Sequence, residues 1–174
     1  MNIDFMNVAE FHSLYGHTIP MALHADLPDL PRGEYWDVGR KYVTKLESTP
    51  EYFNIPAFVK TRGCVYVHND QGSFFRPHRD IIGNHTQQYV RLNAYMTNAQ
   101  VNECTYIIGE EIQRFEERRW YIINPRLTHM SMTWKDNAIH YIVDIDVSDS
   151  KSYNWLYNNM VDMERMGISG KNTR

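Results

Sequence analysis

The feature that most constrains this chain is a series of short apolar segments, each closed by a turn signal, that begins at Gly63. Polar and apolar positions alternate along the clearest of them, YVRLNAYMT, which is the period of a half-buried strand. Turn signals such as Asn124-Pro125 separate the segments. The pattern predicts seven short strands, Cys64–Val67, Tyr89–Thr97, Glu103–Ile108, Ile112–Phe115, Trp120–Ile123, His129–Trp134 and Ala138–Val147. Strands at this spacing are typical of an all-β sandwich or barrel.

The other segments are predicted to support this β core. Prolines interrupt residues 1–36, which we expect to be irregular with a short helix near Val8–Tyr15. A helix is predicted over Val38–Ser48, with Asp37 as its N-cap, and another over Ser150–Gly167. We therefore expect one domain over 1–174, with an N-terminal helical or irregular support in 1–62, the β core in 63–147 and a C-terminal helix in 150–167.

The composition excludes several classes of site. The 174 residues carry eight His but only two Cys, which excludes a disulfide framework and a Cys-rich zinc site. The net charge of −3 gives no basic field, so a nucleic-acid partner is not expected. We expect Cys64 and Cys104 to be free thiols of a cytoplasmic protein, with neither a signal peptide nor a membrane span. Any bound metal must then be held by nitrogen and carboxylate oxygen.

Three His-x-Asp pairs are candidates for such a site, since residues i and i+2 of a strand face the same way. The numbers of His and Asp predict less than one such pair by chance, so the context must decide. His24-Ala25-Asp26 lies in the proline-interrupted N-terminal part, where we interpret its polar side chains as loop residues and not as metal ligands. Asp70 of His68-Asn69-Asp70 is explained by a turn, although His68 is a second-rank candidate for the pocket.

The third pair, His78-Arg79-Asp80, has a stronger context. It follows the extended stretch Phe74–Pro77, which we expect to close a hairpin with Cys64–Val67. His129 opens a later strand, 51 positions after His78. Alone it would be interpreted as a buried structural histidine, but two His and one carboxylate form the facial triad of non-haem Fe(II) oxygenases. The sequence therefore predicts a metal site of His78, Asp80 and His129.

Four motifs resemble the Fe(II)/2-oxoglutarate dioxygenases, most closely the aspartyl/asparaginyl β-hydroxylase-like branch. They are FRPHRD at 75–80, VRLNAY at 90–95, INPRLTH at 123–129 and YIVD at 141–144. The resemblance covers roughly Gly63–Val147. It implies a double-stranded β-helix core of the jelly-roll or cupin-like kind with flanking helices. It also implies Fe(II), 2-oxoglutarate and O₂ as cofactor and co-substrates, with His78, Asp80 and His129 as catalytic iron ligands.

The resemblance further implies which residues hold 2-oxoglutarate. Arg91 matches the arginine of the family's R-L-H element, and a guanidinium suits a carboxylate because it binds both oxygens. The histidine of that element is Asn93 here. The family's arginine about ten positions after the second ligand His is missing, where this chain has Ala-Ile-His140. Arg91, His140 or Arg126 is left to clamp the distal carboxylate, unless the co-substrate differs.

We expect hydroxylation of an amino acid or a peptide side chain, with release of succinate and CO₂. Tyr95, Arg79 and Trp134 are candidates for contact with this small-molecule or peptide substrate, although sheet packing or a solvated surface also explains them. Because the second arginine is missing, two alternatives stay open. These are a cupin-like metal- or ligand-binding module without oxidation, and a catalytically inactive relative.

Overall fold

The computed structural model describes residues 12–13, 15–80, 89–96 and 104–161, with the backbone alone at position 104. In this part of the chain there are eleven β-strands, a short 3-10 turn at Glu51–Phe53 and a C-terminal helix. The strands are β1 (Thr18–His24), β2 (Glu34–Trp36), β3 (Lys41–Leu46), β4 (Thr61–Asn69), β5 (Phe74–His78), β6 (Tyr89–Tyr95), β7 (Cys104–Ile108), β8 (Glu111–Gln113), β9 (Arg119–Ile123), β10 (His129–Thr133) and β11 (Ala138–Asp146), and the helix is α1 (Ser150–Asn158).

The strands form two antiparallel sheets, one of seven strands in the order β1-β9-β6-β11-β4-β3-β2 and one of four in the order β5-β10-β7-β8. From β4 onward the chain passes back and forth between them, so that consecutive strands lie in different sheets except for the hairpin of β7 and β8. This arrangement is the double-stranded β-helix of jelly-roll proteins. The predicted fold class, mainly β with a jelly-roll core, is confirmed.

The large sheet is covered on both of its faces. On β11, Ile139, Tyr141, Val143 and Ile145 point outward into the main apolar cluster, whereas the intervening residues point toward the small sheet. The outward cluster is closed by Phe53 and by side chains such as Ile55, Val59 and Leu156. The inner face carries a smaller cluster of Tyr95, Tyr106, Ile108, Tyr121 and Ile123. The rest of the inner face is left for a cavity.

The N-terminal part belongs to the large sheet, which corrects the expectation of a helical or irregular support. β1 pairs with β9, and β3 pairs with β4 where a helix over Val38–Ser48 was predicted. Gly39 and Arg40 have φ angles of 91° and 52°, which no helix tolerates, so the chain turns there and Asp37 caps nothing. The alternation of buried Lys41 and Val43 with their neighbours then follows the strand period.

Two further predictions need correction. The stretch that precedes His78 forms no hairpin with β4, because β5 crosses to the small sheet and pairs with β10. The C-terminal helix begins at the predicted place, where the Asp149 carboxylate accepts from the Ser152 N–H, but it ends at Asn158. The chain then returns to the large sheet, since Val161 N–H donates to the Pro20 carbonyl. The predicted helix at Val8–Tyr15 and the end at Gly167 lie largely outside the described residues.

Cys64 is a buried free thiol, as expected. The side chain of Cys104 is not among the described parts of the chain. Among the described residues, no helix has both the length and the apolar character that a membrane crossing requires.

Candidate metal centre and cavity

The structure brings His78, Asp80 and His129 together. His78 ends β5, His129 begins β10, and the two are direct partners across the strand pair. Asp80 follows β5, and its N–H donates to the Pro125 carbonyl at 3.0 Å. The carboxylate of Asp80 lies 3.5 Å from His78 Nε2 and 3.8 Å from His129 Nε2. The three candidate ligand atoms lie within 4.8 Å of one another, so these residues form a cluster that could hold a metal ion.

Both histidines present the nitrogen that a metal requires. His78 Nδ1–H donates to the Arg76 carbonyl at 2.6 Å, and His129 Nδ1–H donates to the Leu127 carbonyl at 3.0 Å. With the proton held on Nδ1, the Nε2 lone pair faces the cluster. The pKa of His129 is lowered to about 4, chiefly by burial, with the charges of His78 and Arg91 acting in the same direction and the backbone hydrogen bond to Leu127 opposing them. The ring is therefore neutral at physiological pH, which metal ligation needs.

Arg91 lies beside this cluster with its guanidinium bound on two sides. Asp144, its direct partner on β11, accepts from Arg91 Nε at 2.8 Å and from Nη2 at 2.9 Å. The remaining Nη1 donates to Asp80 Oδ2. Burial alone would lower the pKa of Arg91, but the hydrogen bonds and charge of Asp144 outweigh it and raise the pKa. Three of the five N–H donors of Arg91 are thus engaged, including the whole Nε/Nη2 edge.

A cavity of about 300 Å³ opens beside the three candidate ligands, which is within the range of small-molecule sites. Neighbouring strands of the large sheet form its floor, and β5 and β10 form its opposite wall. Its lining residues are Trp36, Val43, Lys45, Val65, Val67, Phe75, His78, Asp80, Arg91, Asn93, Tyr106, His129, Ser131, His140 and Ile142. The predicted residues Arg91, Asn93 and His140 therefore share one cavity with the predicted ligands. Arg126 is not part of this lining.

His140 offers the cavity a neutral N–H. Asn69 Nδ2 donates to the Ala138 carbonyl at 3.3 Å, which orients its amide, and it also donates to His140 Nδ1 at 3.0 Å. The proton of the ring is then on Nε2, the opposite tautomer to that of the two candidate ligands. Burial lowers the pKa of His140 to about 3, and the Lys41 ammonium contributes to this shift. His140 is thus a fixed hydrogen-bond donor that does not become charged at neutral pH.

Asn93 is the second polar group in the floor. It is buried, and its Oδ1 has no hydrogen-bond partner among the described residues. A buried unpaired amide oxygen costs free energy unless a ligand or water satisfies it. Because Asn93 lines the cavity, a bound molecule is a suitable partner.

The three predicted substrate contacts lie outside the cavity lining. Tyr95 packs in the inner apolar cluster, with its ring stacked on Phe115 at 4.9 Å between centroids. Arg79 is exposed and donates from Nε to Thr128 Oγ1 at 3.0 Å. Trp134 is half exposed, beyond the end of β10. Their role toward a substrate stays a prediction.

The other two His-x-Asp pairs take no part in the cluster. Asn54 Nδ2 donates both to the His24 carbonyl and to Asp26 Oδ2, so this pair ties a loop together, as expected. Asp70 forms an ion pair with Arg32 at 3.0 Å. His68 was wrongly ranked as a pocket candidate, because its neighbour Val67 faces the cavity and His68 therefore points to the outer face.

Sequence reasoning missed Lys45. It lines the cavity from β3 and has no ion pair with any described residue. A period of two in KYVTK, residues 41–45, was the available signal, and the assumption of a helix concealed it. The structure also places Trp36 at the cavity wall.

No protein-family model matches this chain, and no curated protein matches it. Solved structures that are partly similar in fold include a 2OG-Fe(II) oxygenase family oxidoreductase from Burkholderia pseudomallei, 13% identical with a TM-score of 0.47 over 80% of this chain and 78% of that chain. The viral collagen prolyl hydroxylase of Paramecium Bursaria Chlorella virus-1 is 9% identical, with a TM-score of 0.45 over 61% of this chain and 79% of that chain. An RmlC-like cupin from Desulfovibrio desulfuricans is 11% identical, with a TM-score of 0.44 over 71% of this chain and 98% of that chain. Such distant likeness carries no argument about activity, so the function must be inferred from the residues of the site.

Proposed function

We propose that this protein is an Fe(II)- and 2-oxoglutarate-dependent oxygenase. The observation that supports it is the convergence of two histidine Nε2 atoms and one carboxylate at the edge of a cavity. Two His and one carboxylate on one side of a metal leave its other positions open, which is the ligand set of non-haem Fe(II) oxygenases. When bound, iron would supply the activation of O₂, and His78, Asp80 and His129 would hold it.

The polar groups of the cavity floor support binding of an oxoacid. His140 offers an N–H, Asn93 an amide, and Lys45 an ammonium without an acidic partner among the described residues. Three of the five N–H donors of Arg91 are already engaged, so we expect Lys45 and His140, not Arg91 alone, to receive the distal carboxylate. The apolar walls would exclude water from the reacting groups.

We further propose that the substrate is an amino acid or a peptide side chain, hydroxylated with release of succinate and CO₂. The motifs that resemble the aspartyl/asparaginyl β-hydroxylase-like branch are the basis for this substrate class. Trp36, half exposed at the cavity wall, is a suitable residue to contact it. Tyr95, Arg79 and Trp134 are less favoured, because they do not line the cavity.

An anaerobic titration tests the proposal. Fe(II) and 2-oxoglutarate together are expected to give a weak visible charge-transfer band with the wild-type protein. His129→Ala should abolish the band, because it removes one of the three ligands. His24→Ala, which changes an exposed histidine outside the site, should leave it intact. Iron binding without a band would contradict the proposal.

A cupin-like metal- or ligand-binding module without oxidation is the second candidate. The engagement of Arg91 by Asp144 and Asp80 favours it, because three of the five N–H donors of this guanidinium are already bound to carboxylates of the protein. Under this alternative the metal binds normally, whereas 2-oxoglutarate neither gives the band nor yields succinate in air. Succinate release, screened against amino acids and peptides, therefore separates the two functions.

A further inference from the structure

Two groups compete for the carboxylate oxygens of Asp80. The predicted metal ion needs at least one of these oxygens as a ligand. Arg91 also binds the carboxylate, because its Nη1 donates a hydrogen bond to Oδ2. An unrestrained guanidinium prefers to bind a carboxylate through two parallel hydrogen bonds, which would occupy both oxygens of Asp80.

Asp144 prevents that arrangement in this structure. It accepts from Nε and Nη2, so the Nε/Nη2 edge of Arg91 faces Asp144 and Nη1 is the nitrogen that donates to Asp80. Arg91 and Asp144 are direct partners on β6 and β11, so the backbone ladder fixes their separation. Both are largely shielded from water, and only 16% and 15% of their side-chain surfaces are exposed. The bidentate pair is therefore held in place.

The charge of Asp144 is a second way in which it would favour metal binding by Asp80. A guanidinium next to a divalent metal repels it, and the repulsion is strong where water is largely excluded. The negative charge of Asp144 offsets the positive charge of Arg91 beside the site. The row Asp80, Arg91 and Asp144 thus keeps a net negative charge, which attracts a cation.

We propose that Asp144 is a positioning residue of the metal centre, which restrains and neutralises Arg91 so that Asp80 stays available to the metal. This inference rests on the metal site of the proposed function, but not on 2-oxoglutarate or on catalysis. Asp144 is neither one of the three candidate ligands nor one of the residues that line the cavity. Its effect would pass through Arg91.

A double-mutant cycle read out by metal affinity tests this role. Co(II) alone is titrated by calorimetry into metal-free wild type, Asp144→Asn, Arg91→Met and the double variant, after circular dichroism has established that each is folded. Asp144→Asn is expected to weaken Co(II) binding about 10- to 100-fold, as for other groups that orient metal ligands. Asp146→Asn, two residues along the same strand and bound to Ser148, is the control and should bind Co(II) normally.

The coupling between the two sites is the specific readout. If Asp144 acts through Arg91, its replacement costs little when Arg91 is already Met, so the coupling should approach the whole 10- to 100-fold loss, equivalent to about 1.4–2.7 kcal/mol. A loss that is equal in both backgrounds, or unchanged affinity in Asp144→Asn, overturns the proposal. If Asp144→Asn does not fold, the Arg91→Met pair decides: similar affinities support the role, and a tenfold difference contradicts it.

The outcomes separate this inference from the proposed function. If the wild-type protein binds no Co(II), both fail. If Co(II) binds with the expected coupling but Fe(II) and 2-oxoglutarate give no band, the inference stands and the oxygenase proposal fails. If the band forms and the cycle shows no coupling, only the inference fails.

Discussion

Replacement of Asn69 by Asp should reverse the hydrogen-bonding character of His140. Asn69 now donates to Nδ1 over 3.0 Å, which holds the ring proton on Nε2 and directs an N–H into the cavity. A carboxylate in that place can only accept, so the proton must move to Nδ1. Nε2 would then offer a lone pair to the cavity instead of a hydrogen.

The size of the change follows from the bonds that are exchanged. A neutral hydrogen bond of about 1 kcal/mol is lost, and one to a charged group, worth about 1.5–3 kcal/mol, is gained by the other tautomer. The combined shift of about 2.5–4 kcal/mol corresponds to a factor of about 70 to 1000 in the tautomer ratio. Lys41 lies opposite Asn69 on β3 and can pair with the new carboxylate, but it does not restore a donor to Nδ1 as Asn69 does.

Long-range proton–nitrogen NMR correlations of the metal-free protein report the tautomer directly. The wild type should show the His140 proton on Nε2, and Asn69→Asp should show it on Nδ1. Asn154→Asp, a change of the same chemistry at an exposed position on α1, is the control. A His140 ring that keeps its proton on Nε2 in Asn69→Asp would refute the assignment of this hydrogen bond.

Two further predictions concern stability. Phe53→Ala should lower the free energy of unfolding by about 3–5 kcal/mol in urea titrations, because Phe53 is fully buried, stacks on Tyr141 at 4.6 Å and closes the outer apolar cluster. The affinity for Co(II) should not change. A loss of stability below about 1 kcal/mol would contradict this account of the cluster. Burial lowers the pKa of Lys41 to about 8 from 10.5, so the unfolded chain binds the extra proton more tightly and this lysine destabilises the fold most at low pH. Relative to Lys41→Met, the wild type should therefore gain stability between pH 8 and pH 10.5, and a constant difference across this range in urea titrations would refute the assigned cause.

The prediction from sequence was most successful where the information is local. The alternation in YVRLNAYMT and in the last strand follows from the pleat of a strand, and the structure places β6 and β11 there. The pair His78 and Asp80 was chosen because it closes an extended segment, and that segment is a strand. Its combination with His129 is consistent with the clustering of the three side chains.

Prediction failed where the local signal was weak. The sequence KYVTKL is compatible with a helix as well as with a strand. It forms a strand because it pairs with β4 and because the turn at Gly39 and Arg40 prevents a helix there. As a result Lys45 was placed on a helix and its contact with the cavity was missed. The role of Arg91 was inferred from its motif alone, because its partner Asp144 lies 53 positions further along the chain.

By itself the sequence determined the residue types of the site, their spacing and which side chains share a face of a strand. Those properties follow from composition and from the strand period of two. Only the tertiary structure decided which face of each strand points inward, since alternation separates Val67 from His68 but does not say which of them meets the cavity. It also decided that Asp144 restrains Arg91 and that Asn69 orients His140. Both contacts join residues far apart in sequence, so they form only when long-range strand pairing brings β4, β6 and β11 side by side.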